Sequence, residues 1–178
     1  MLKKLNKKKL KILCIIQARL SSKRLPKKVL LPGGGNKPLL INLYERIIPS
    51  KTISKIIVAT SKNSSDDRIV NICKYYRVPF FRGSLKNVLK RYYDCAKKYK
   101  ADYIIRVTSD CPLLEYNIVD RFIKSFLKIK KCDYYSNVHP RVSPKGYDLE
   151  IFNFKSLETC FLKSKSDYEK EHVTPYIW

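Results

Sequence analysis

A stretch of basic and hydroxyl residues follows the first apolar run of the chain and has the residue types that bind phosphate. It reads Gln-Ala-Arg-Leu-Ser-Ser-Lys-Arg-Leu-Pro-Lys-Lys over residues 17–28. Arg19 and Arg24 offer planar forks for phosphate oxygens, and Lys28 offers a point charge that can follow a leaving pyrophosphate. Pro26 keeps the stretch from continuing as a helix, so its amides and cations can converge on one anion. We interpret it as a triphosphate-binding loop; a merely solvated basic loop is the competing interpretation.

Acidic residues occur at two places where they could hold a divalent cation. Asp110 closes the strand-like run that leads into residues 106–112, and a carboxylate at a strand edge can hold a cation that bridges phosphates. Residues 146–152 alternate in polarity, which predicts that Asp148 and Glu150 lie side by side on one face of a strand. Neighbouring carboxylates repel each other unless a cation lies between them. A helix cap for Asp110 and structural ion pairs for the other two carboxylates are the alternatives.

Other catalytic signatures are absent or have the wrong spacing. The glycines at 33–35 form neither a dinucleotide-binding motif nor a P-loop, because Pro38 occupies the third glycine position and no Gly-Lys-Ser/Thr follows. A turn before a helix at 39–48 is predicted instead. His139 and His172 are too few and too far apart for a histidine-based metal site. No serine or cysteine lies in a nucleophile-elbow context, so covalent catalysis is not indicated.

The apolar pattern predicts the elements that must position these residues. Short β-branched runs indicate strands, and longer stretches with apolar residues three and four apart indicate helices. Strands are predicted at 12–17, 55–60, 79–81, 103–107, 133–136 and 146–152, and helices at 39–48, 66–76, 87–99, 116–128 and 155–163. In the fourth helix Phe122, Phe126 and Ile129 should form the buried stripe. Ser64, Ser65 and Asp66 are candidate N-caps for the second helix.

This alternation predicts an α/β fold with a mostly parallel sheet and helices on both faces. Ligands of such sheets bind at the carboxyl ends of the strands. We therefore expect the site at the loops that follow Gln17, Thr60 and Val107.

Composition and charge limit the class of protein. At 178 residues with 44% hydrophobic positions, the chain suits one core, so we expect a disordered basic leader at 1–11 and a single domain at 12–178. The net charge of +23 implies anionic partners such as nucleotides, nucleic acid, acidic sugars or a membrane surface. A general compositional bias toward Lys, Ile, Asn and Tyr, as an AT-rich genome produces, is the alternative explanation. The apolar run at 12–16 is too short for a signal peptide or a membrane span. Six cysteines without a CxxC pair indicate free thiols in a reducing cytoplasm. We expect a cytoplasmic protein with no membrane partner and no stable nucleic-acid partner.

Several segments, taken together and in order, carry a family resemblance. They are Ile-Ile-Gln-Ala-Arg-Leu-Ser-Ser-Lys-Arg-Leu-Pro-Lys-Lys (15–28), Ile-Val-Ala-Thr (57–60), Phe-Arg-Gly-Ser (81–84), Val-Leu-Lys-Arg-Tyr-Tyr (88–93), Arg-Val-Thr-Ser-Asp-Cys-Pro (106–112), Asp-Leu-Glu-Ile-Phe (148–152) and Glu-Lys-Glu-His-Val-Thr-Pro-Tyr-Ile (169–177). The set resembles the cytidylyltransferases of the spore-coat polysaccharide type, which are relatives of the acylneuraminate and Kdo cytidylyltransferases. The match covers nearly everything after the leader.

The resemblance implies roles for the matching residues. The implied nucleotide-binding residues are Arg19, Ser22, Arg24, Lys28, Thr60, Arg82, Arg91 and Arg106, with the first four on the phosphates of CTP and Thr60, Arg82 and Arg91 on the cytidine side. The implied catalytic residues are Arg19, Lys28 and Asp110. Asp110 would be the principal Mg²⁺ ligand, and Asp148 or Glu150 a second one.

The resemblance also implies a fold and a reaction. The fold is a Rossmann-like nucleotidyltransferase domain, a three-layer α/β/α sandwich with a mixed, mostly parallel sheet. The hydroxyl of an acidic sugar would attack the α-phosphorus of CTP in the presence of Mg²⁺ and expel pyrophosphate, in a homodimer. Because relatives run on past residue 178, we expect a chain truncated at its C-terminus.

Three other functions compete with this interpretation. An inactive or truncated nucleotide-binding remnant would keep the fold without turnover. A non-catalytic nucleic-acid-binding protein is supported by the charge and the 13 tyrosines, but no RRM, KH or helix-turn-helix signature occurs. A nucleotide-sugar glycosyltransferase would carry a DxD metal motif, which the sequence lacks.

Overall fold

A computed structural model of the chain describes residues 9–21 and 25–178. Most of the predicted basic leader, at 1–8, and the predicted phosphate-binding residues Ser22 and Arg24 lie outside the described residues.

Six strands form one mixed sheet in the order β3-β2-β1-β4-β6-β5. They are β1 Ile12–Gln17, β2 Lys55–Ser61, β3 Phe80–Gly83, β4 Tyr103–Thr108, β5 Tyr134–Ser136 and β6 Glu150–Asn153. The first four are parallel, while β6 is antiparallel to both β4 and β5. The predicted mostly parallel α/β sheet is confirmed, with the antiparallel pair at one edge.

Six α-helices occur in the described part of the chain, and five of them cover the two faces of the sheet. The six helices are α1 Leu39–Ile47, α2 Asp67–Tyr75, α3 Val88–Lys98, α4 Tyr116–Lys128, α5 Phe154–Lys163 and α6 Asp167–His172. Helices α1, α2 and α4 pack on one face, and α3 and α5 pack on the other. Successive side chains of β1 enter opposite cores, Cys14 and Ile16 on the first and Leu13 and Ile15 on the second. A strand buried on both faces explains the unbroken apolar run in the sequence.

One predicted strand and one predicted stripe differ from the structure. The strand expected at 146–152 begins only at Glu150, because the Asn137 side chain bonds the backbone of Tyr147 (2.7 Å) and Leu149 (2.8 Å). Asp148 therefore precedes the strand and does not share a strand face with Glu150. The buried side of α4 runs through Val119, Ile123 and Phe126, whereas Ile129 is 47% exposed.

Asparagine and serine side chains begin several helices. Asn87 accepts from Lys90 N (2.7 Å) at the start of α3, and Asn153 accepts from Ser156 N (2.7 Å) at the start of α5. Ser166 and Glu169 form a capping box on α6. Asp66 occupies the N-cap position of α2 as predicted, but its side chain does not accept a hydrogen bond from the first turn of the helix. The predicted capping hydrogen bond is therefore wrong.

The described residues contain no helix that is long and apolar enough to cross a membrane. All six cysteines are free, and five of them are buried. Burial raises the pKa of Cys14 to about 12, so this thiol stays protonated and unreactive.

Asp120 on α4 ties the α1–β2 connection to the helix layer. Its carboxylate accepts from Lys51 N (3.1 Å), Thr52 Oγ1 (2.6 Å) and the Ser50 hydroxyl. Burial acts to raise the pKa of Asp120, but these hydrogen bonds outweigh it and hold the pKa below its usual value.

We expect Asp120→Ala to lower the free energy of unfolding by about 1–3 kcal/mol, because several partly buried donors lose their acceptor. A carboxyl with a lowered folded-state pKa stabilises the protein above its unfolded pKa, and this stability is lost as pH falls through the folded value. Urea titrations measure the free energy of unfolding of both proteins. The difference between wild type and Asp120→Ala should stay constant from pH 7 to 5 and become smaller below about pH 4. Glu45→Ala, which removes an exposed pair with Lys37, is the control and should cost less than about 1 kcal/mol. A gap that widened with falling pH would contradict this account.

Candidate functional site

The main cleft lies at the carboxyl ends of the parallel strands, next to β1. In the sheet, β1 has β2 on one side and β4 on the other, and the chain continues from β1 to β2. A crevice opens between neighbouring strand ends where the strand order reverses in this way. The cleft measures about 1030 Å³ and is lined by the loops after β1, β3 and β4 and by α6. The loops after β1 and β4 were expected here from the sequence, whereas the loop after Thr60, which was also expected, contributes none of the described residues that line the cleft.

The basic loop after β1 brings its cations to this cleft. Arg19 and Lys28 both line it. Arg19 Nη2 lies 2.6 Å from Glu171 Oε1 on α6, and Lys28 forms an ion pair with Asp110. Each cation is therefore held in place by a carboxylate from another element.

Asp66 anchors the basic loop from below. Its fully buried carboxylate accepts from Leu20 N (2.8 Å) in the loop and from the hydroxyl of Ser61 at the end of β2. Leu20 O also accepts from Lys27 N (3.2 Å), which closes the loop on itself. The loop is thus fixed to the sheet at the point where its cations diverge into the cleft.

Arg91 on α3 is fully buried, and its guanidinium nitrogens have no hydrogen-bond partner among the described residues. Burial lowers the pKa of Arg91, while the neighbouring Tyr92 and Asp66 act to raise it. Gly83 makes room for it, since a Cβ there would lie 2.8 Å from Arg91 Cγ. A buried cation without hydrogen bonds is costly and needs a further explanation.

Asp110 suits a Mg²⁺ that is held mainly by phosphates and water. It lines the cleft at the end of β4, and its side chain is 40% exposed. Burial acts to raise the pKa of Asp110, but hydrogen bonds from Lys28 and Thr108 and the charge of Lys28 hold the pKa below its usual value. No group of three or more potential ligands occurs among the described residues. A single carboxylate is nonetheless enough when the substrate supplies phosphate oxygens.

Glu150 and Asp148 both form ion pairs with arginines, but they differ in burial. Glu150 is 3% exposed, pairs with Arg106 and accepts from Tyr134 (2.7 Å) and Thr174 (2.7 Å). Asp148 receives both terminal nitrogens of Arg141, at 2.8 and 3.1 Å. Glu150 is buried with its hydrogen bonds complete, which favours the structural alternative for it, whereas Asp148 is a partly exposed carboxylate in an ion pair, as Asp110 is, and its metal role stays a prediction.

Arg106 forms the wall between the main cleft and a second cavity of about 210 Å³. Burial acts to lower the pKa of Arg106, but the Glu150 carboxylate overcomes this and raises it. His139, Arg141 and His172 line the second cavity, and the His139 ring stacks on Trp178 with centroids 4.2 Å apart. Arg106, Thr108 and His172 line both spaces, so a ligand in one would meet a ligand in the other beside them.

The structure separates the described site residues into three groups. Arg19, Lys28, Arg106 and Asp110 line the main cleft, and Asp148 and Glu150 line the second cavity. Thr60, Arg82 and Arg91, the expected cytidine-side residues, line neither space. Arg82 instead donates to Ser61 O (2.8 Å) and Asn63 O (3.0 Å), and Thr60 is fully buried. Their proposed nucleotide contacts stay predictions.

Sequence reasoning missed the contribution of two segments to the cleft. Lys86 and Asn87 follow β3 at the same sheet edge, so the rule about strand ends could have found them. Lys170 and Glu171 lie on α6, which is distant in sequence from the other segments of the cleft and packs against α3. Asp66 was identified only as a helix cap, because no local pattern distinguishes a cap from a buried anchor.

Comparison with known proteins supports the resemblance. The cytidylyltransferase family model matches residues 13–178. The chain belongs to the cytidylyltransferase family. The predicted resemblance is thereby confirmed, and members of this family are CTP-dependent nucleotidyltransferases.

Individual relatives and structures agree with this assignment. An uncharacterised protein of Methanocaldococcus jannaschii is 42% identical over 169 residues, covering 95% of this chain and 68% of the relative. The spore coat polysaccharide biosynthesis protein SpsF of Bacillus subtilis is 34% identical over 171 residues, covering 93% and 69%. The structure of a cytidylyltransferase from Leptospira borgpetersenii superposes with a TM-score of 0.89 at 37% identity, covering 94% of this chain and 71% of that one.

A more distant structure shows the fold alone. It is a CMP:2-keto-3-deoxy-manno-octonic acid synthetase complexed with CTP, with a TM-score of 0.71 at 17% identity, covering 94% of this chain and 83% of that one. The Rossmann-like nucleotidyltransferase fold expected from the sequence is confirmed.

We expect Arg91→Met to raise the free energy of unfolding of the ligand-free protein by about 1 kcal/mol, because an apolar side chain replaces a buried cation without hydrogen bonds. The same variant should bind nucleotide more weakly, because it lacks the guanidinium that the family resemblance places on the cytidine side. Urea denaturation and thermal shifts measure the two effects. Arg68→Met, at an exposed position of α2, is the control and should change stability by no more than about 0.5 kcal/mol. A destabilised Arg91→Met would mean that the guanidinium already stabilises the ligand-free fold.

Proposed function

We propose that this protein transfers CMP from CTP to an acidic sugar, releases pyrophosphate and thereby supplies an activated sugar for a surface polysaccharide or glycan. The observation that carries the proposal is the convergence of Arg19, Lys28 and Asp110 on one cleft. Family membership supports the choice of CTP. The names of SpsF and of the octonic acid synthetase associate relatives with polysaccharide synthesis and with a sugar acid.

The triphosphate would lie against the basic loop. Arg19 offers a fork to phosphate oxygens and Lys28 a compact charge, and both are held before the ligand arrives. Cations fixed in advance stabilise developing negative charge without reorganising during the reaction. Asp110 would hold Mg²⁺, which neutralises phosphate charge when bound.

The sugar acid would occupy the second cavity. Its carboxylate would meet Arg141, His139 and His172, while its hydroxyl points past Arg106 toward the main cleft. The hydroxyl oxygen then attacks the α-phosphorus in line and its proton passes to solvent. A new P–O bond forms as the bond from the α-phosphorus to the α,β-bridging oxygen breaks and pyrophosphate leaves. Positioning and charge neutralisation supply the catalysis.

CTP with Mg²⁺ should raise the melting temperature more than ATP, GTP or UTP does. Ligand at about 100 times its dissociation constant adds about 2.7 kcal/mol, which corresponds to roughly 5–10 °C for a domain of this size. In Asp110→Ala the part of the shift that depends on Mg²⁺ should disappear. Asp94→Ala, which removes an exposed pair with Lys90 on α3, should keep it. A folded wild-type protein without a CTP-selective shift would favour the remnant interpretation.

Pyrophosphate release with a panel of sugars tests the acceptor. Sugar acids should react and their neutral counterparts should not. In Arg141→Met the KM for the sugar acid should rise by about tenfold or more, since a charge-assisted hydrogen bond is lost, while the KM for CTP stays unchanged. Arg121→Met, at an exposed position of α4, should alter neither constant. Equal turnover of neutral and acidic sugars would contradict the acidic acceptor while leaving CTP binding intact.

A further inference from the structure

The end of the sheet opposite the cleft carries a concentration of exposed cations. The parallel strands begin there and helices α1 to α4 end there, so segments that are far apart in sequence meet at one surface. Lys9 and Lys11 precede β1, while Lys51 and Lys55 flank the start of β2. All four are exposed.

The helix ends add further cations to the same surface. Exposed basic residues stand at the end of α2 (Lys74, Arg77), at the end of α3 (Lys97, Lys98, Lys100) and at the end of α4 (Lys128, Lys130, Lys131). Together with the four lysines at the strand starts, these residues define what we call the distal face.

Hydrogen bonds show that these segments are joined. Asp102, just before β4, accepts from Lys11 N (2.8 Å), and its carbonyl accepts from Phe154 N (3.0 Å). Ser54 Oγ donates to Leu10 O (3.2 Å) next to the start of β2. Lys55 Nζ lies 4.9 Å from the ring centre of Tyr99 at the end of α3. These contacts join the starts of β1, β2 and β4 to the end of α3, while the ends of α2 and α4 lie at the same end of the sheet.

Few carboxylates balance the cations of this face. Asp102 and Asp120 accept backbone hydrogen bonds from Lys11 and Lys51, and Asp133 accepts from Asn153 Nδ2 (2.6 Å). Lysines in the last turn of a helix interact favourably with the helix dipole. The helix dipole does not account for the four lysines at the strand starts. The face therefore carries more positive charge than interactions with the helix dipoles explain.

Large apolar side chains project from the same surface. Tyr75 is 81% exposed at the end of α2, Ile48 53% at the end of α1, Ile129 47% at the end of α4 and Leu10 44% before β1. Leu127, in the last turn of α4, is 43% exposed. These side chains are adjacent to lysines in the sequence: Tyr75 follows Lys74, Ile129 lies between Lys128 and Lys130, and Leu10 lies between Lys9 and Lys11.

We propose that the distal face docks the protein onto an anionic lipid bilayer. Lysines attract the negative headgroups, and apolar tips enter the boundary between headgroups and acyl chains. Nucleic acid would use the lysines but would leave the aliphatic side chains without a function. The main cleft opens at the opposite end of the strands, so a docked protein keeps it accessible to soluble substrates. From the sequence alone we expected no membrane partner, and this arrangement of residues is the reason to revise that expectation.

Vesicle co-sedimentation tests the proposal. The full chain should bind vesicles of phosphatidylcholine with 30% phosphatidylglycerol at low salt and lose most of this binding at about 0.5 M salt. It should not bind vesicles of phosphatidylcholine alone. Equal binding to both vesicles, or binding to neither, would overturn the proposal.

Two sets of variants separate charge from insertion. Each lysine near an anionic bilayer contributes roughly a fivefold gain in partition, so Lys74→Gln/Lys128→Gln/Lys130→Gln should weaken binding by more than about tenfold. Tyr75→Ser/Ile129→Ser should also weaken it, because insertion is lost. The matched controls are Lys145→Gln/Lys163→Gln/Lys165→Gln for charge and Val142→Ser/Leu162→Ser for exposed apolar residues, and both should bind like wild type.

Two further measurements guard against misinterpretation. Circular dichroism and the CTP-dependent thermal shift should be unchanged in every variant, so a loss of binding cannot come from unfolding or from the nucleotide site. A duplex DNA that bound as tightly as the anionic vesicles, with sensitivity to the lysines and none to Tyr75 and Ile129, would replace the membrane by nucleic acid as the partner and overturn the proposal.

Discussion

The buried carboxylate of Asp66 is the contact on which the cleft depends. It joins the basic loop, through Leu20 N, to the end of β2, through the hydroxyl of Ser61. Without this junction the backbone amides of the loop would have no fixed direction, and Arg19 and Lys28 would belong to a solvated loop. A loop that is held before the ligand arrives loses less conformational freedom on binding. At Leu20 this anchor disfavours the competing interpretation of a freely solvated loop, and the phosphate-binding role of the segment stays a prediction.

Ion pairs across the cleft serve a related purpose. Lys28 with Asp110 and Arg19 with Glu171 each join residues from distant parts of the chain. Pairs this exposed add little to stability, so their effect is to set the position of the charges. Arg106 and Glu150 differ because both are desolvated, and Tyr134 and Thr174 complete the hydrogen bonding of the carboxylate. This buried pair forms a rigid wall between the two spaces, at the place where donor and acceptor would meet.

The sequence predicted the elements well and the long-range contacts poorly. Strands β1, β2 and β4 are buried on both faces, so their apolar runs identified them and the sheet edge that their carboxyl ends form. Residues at the sheet edge, such as Lys28 and Asp110, could be assigned to the cleft for the same reason. The strand expected at 146–152 was too long because a side chain, Asn137, takes backbone hydrogen bonds that a pattern cannot show. Alternation of side chains would place Asp148 and Glu150 on the same face only if both were in a strand. The strand begins at Glu150, so the prediction for this pair failed.

Net charge was the feature that sequence alone could interpret least. A charge of +23 is compatible with every class of anionic partner, because a sum carries no position. The fold divides the cations between two ends of the same strands. At the carboxyl ends Arg19, Lys28 and Arg106 are paired with carboxylates and line the cleft, as a small anion with defined geometry requires. At the amino ends the cations are numerous, mostly lysine, exposed and interspersed with apolar tips, as a broad and chemically uniform surface requires. The parallel sheet produces this separation, since every strand that delivers a residue to the cleft also begins at the opposite face.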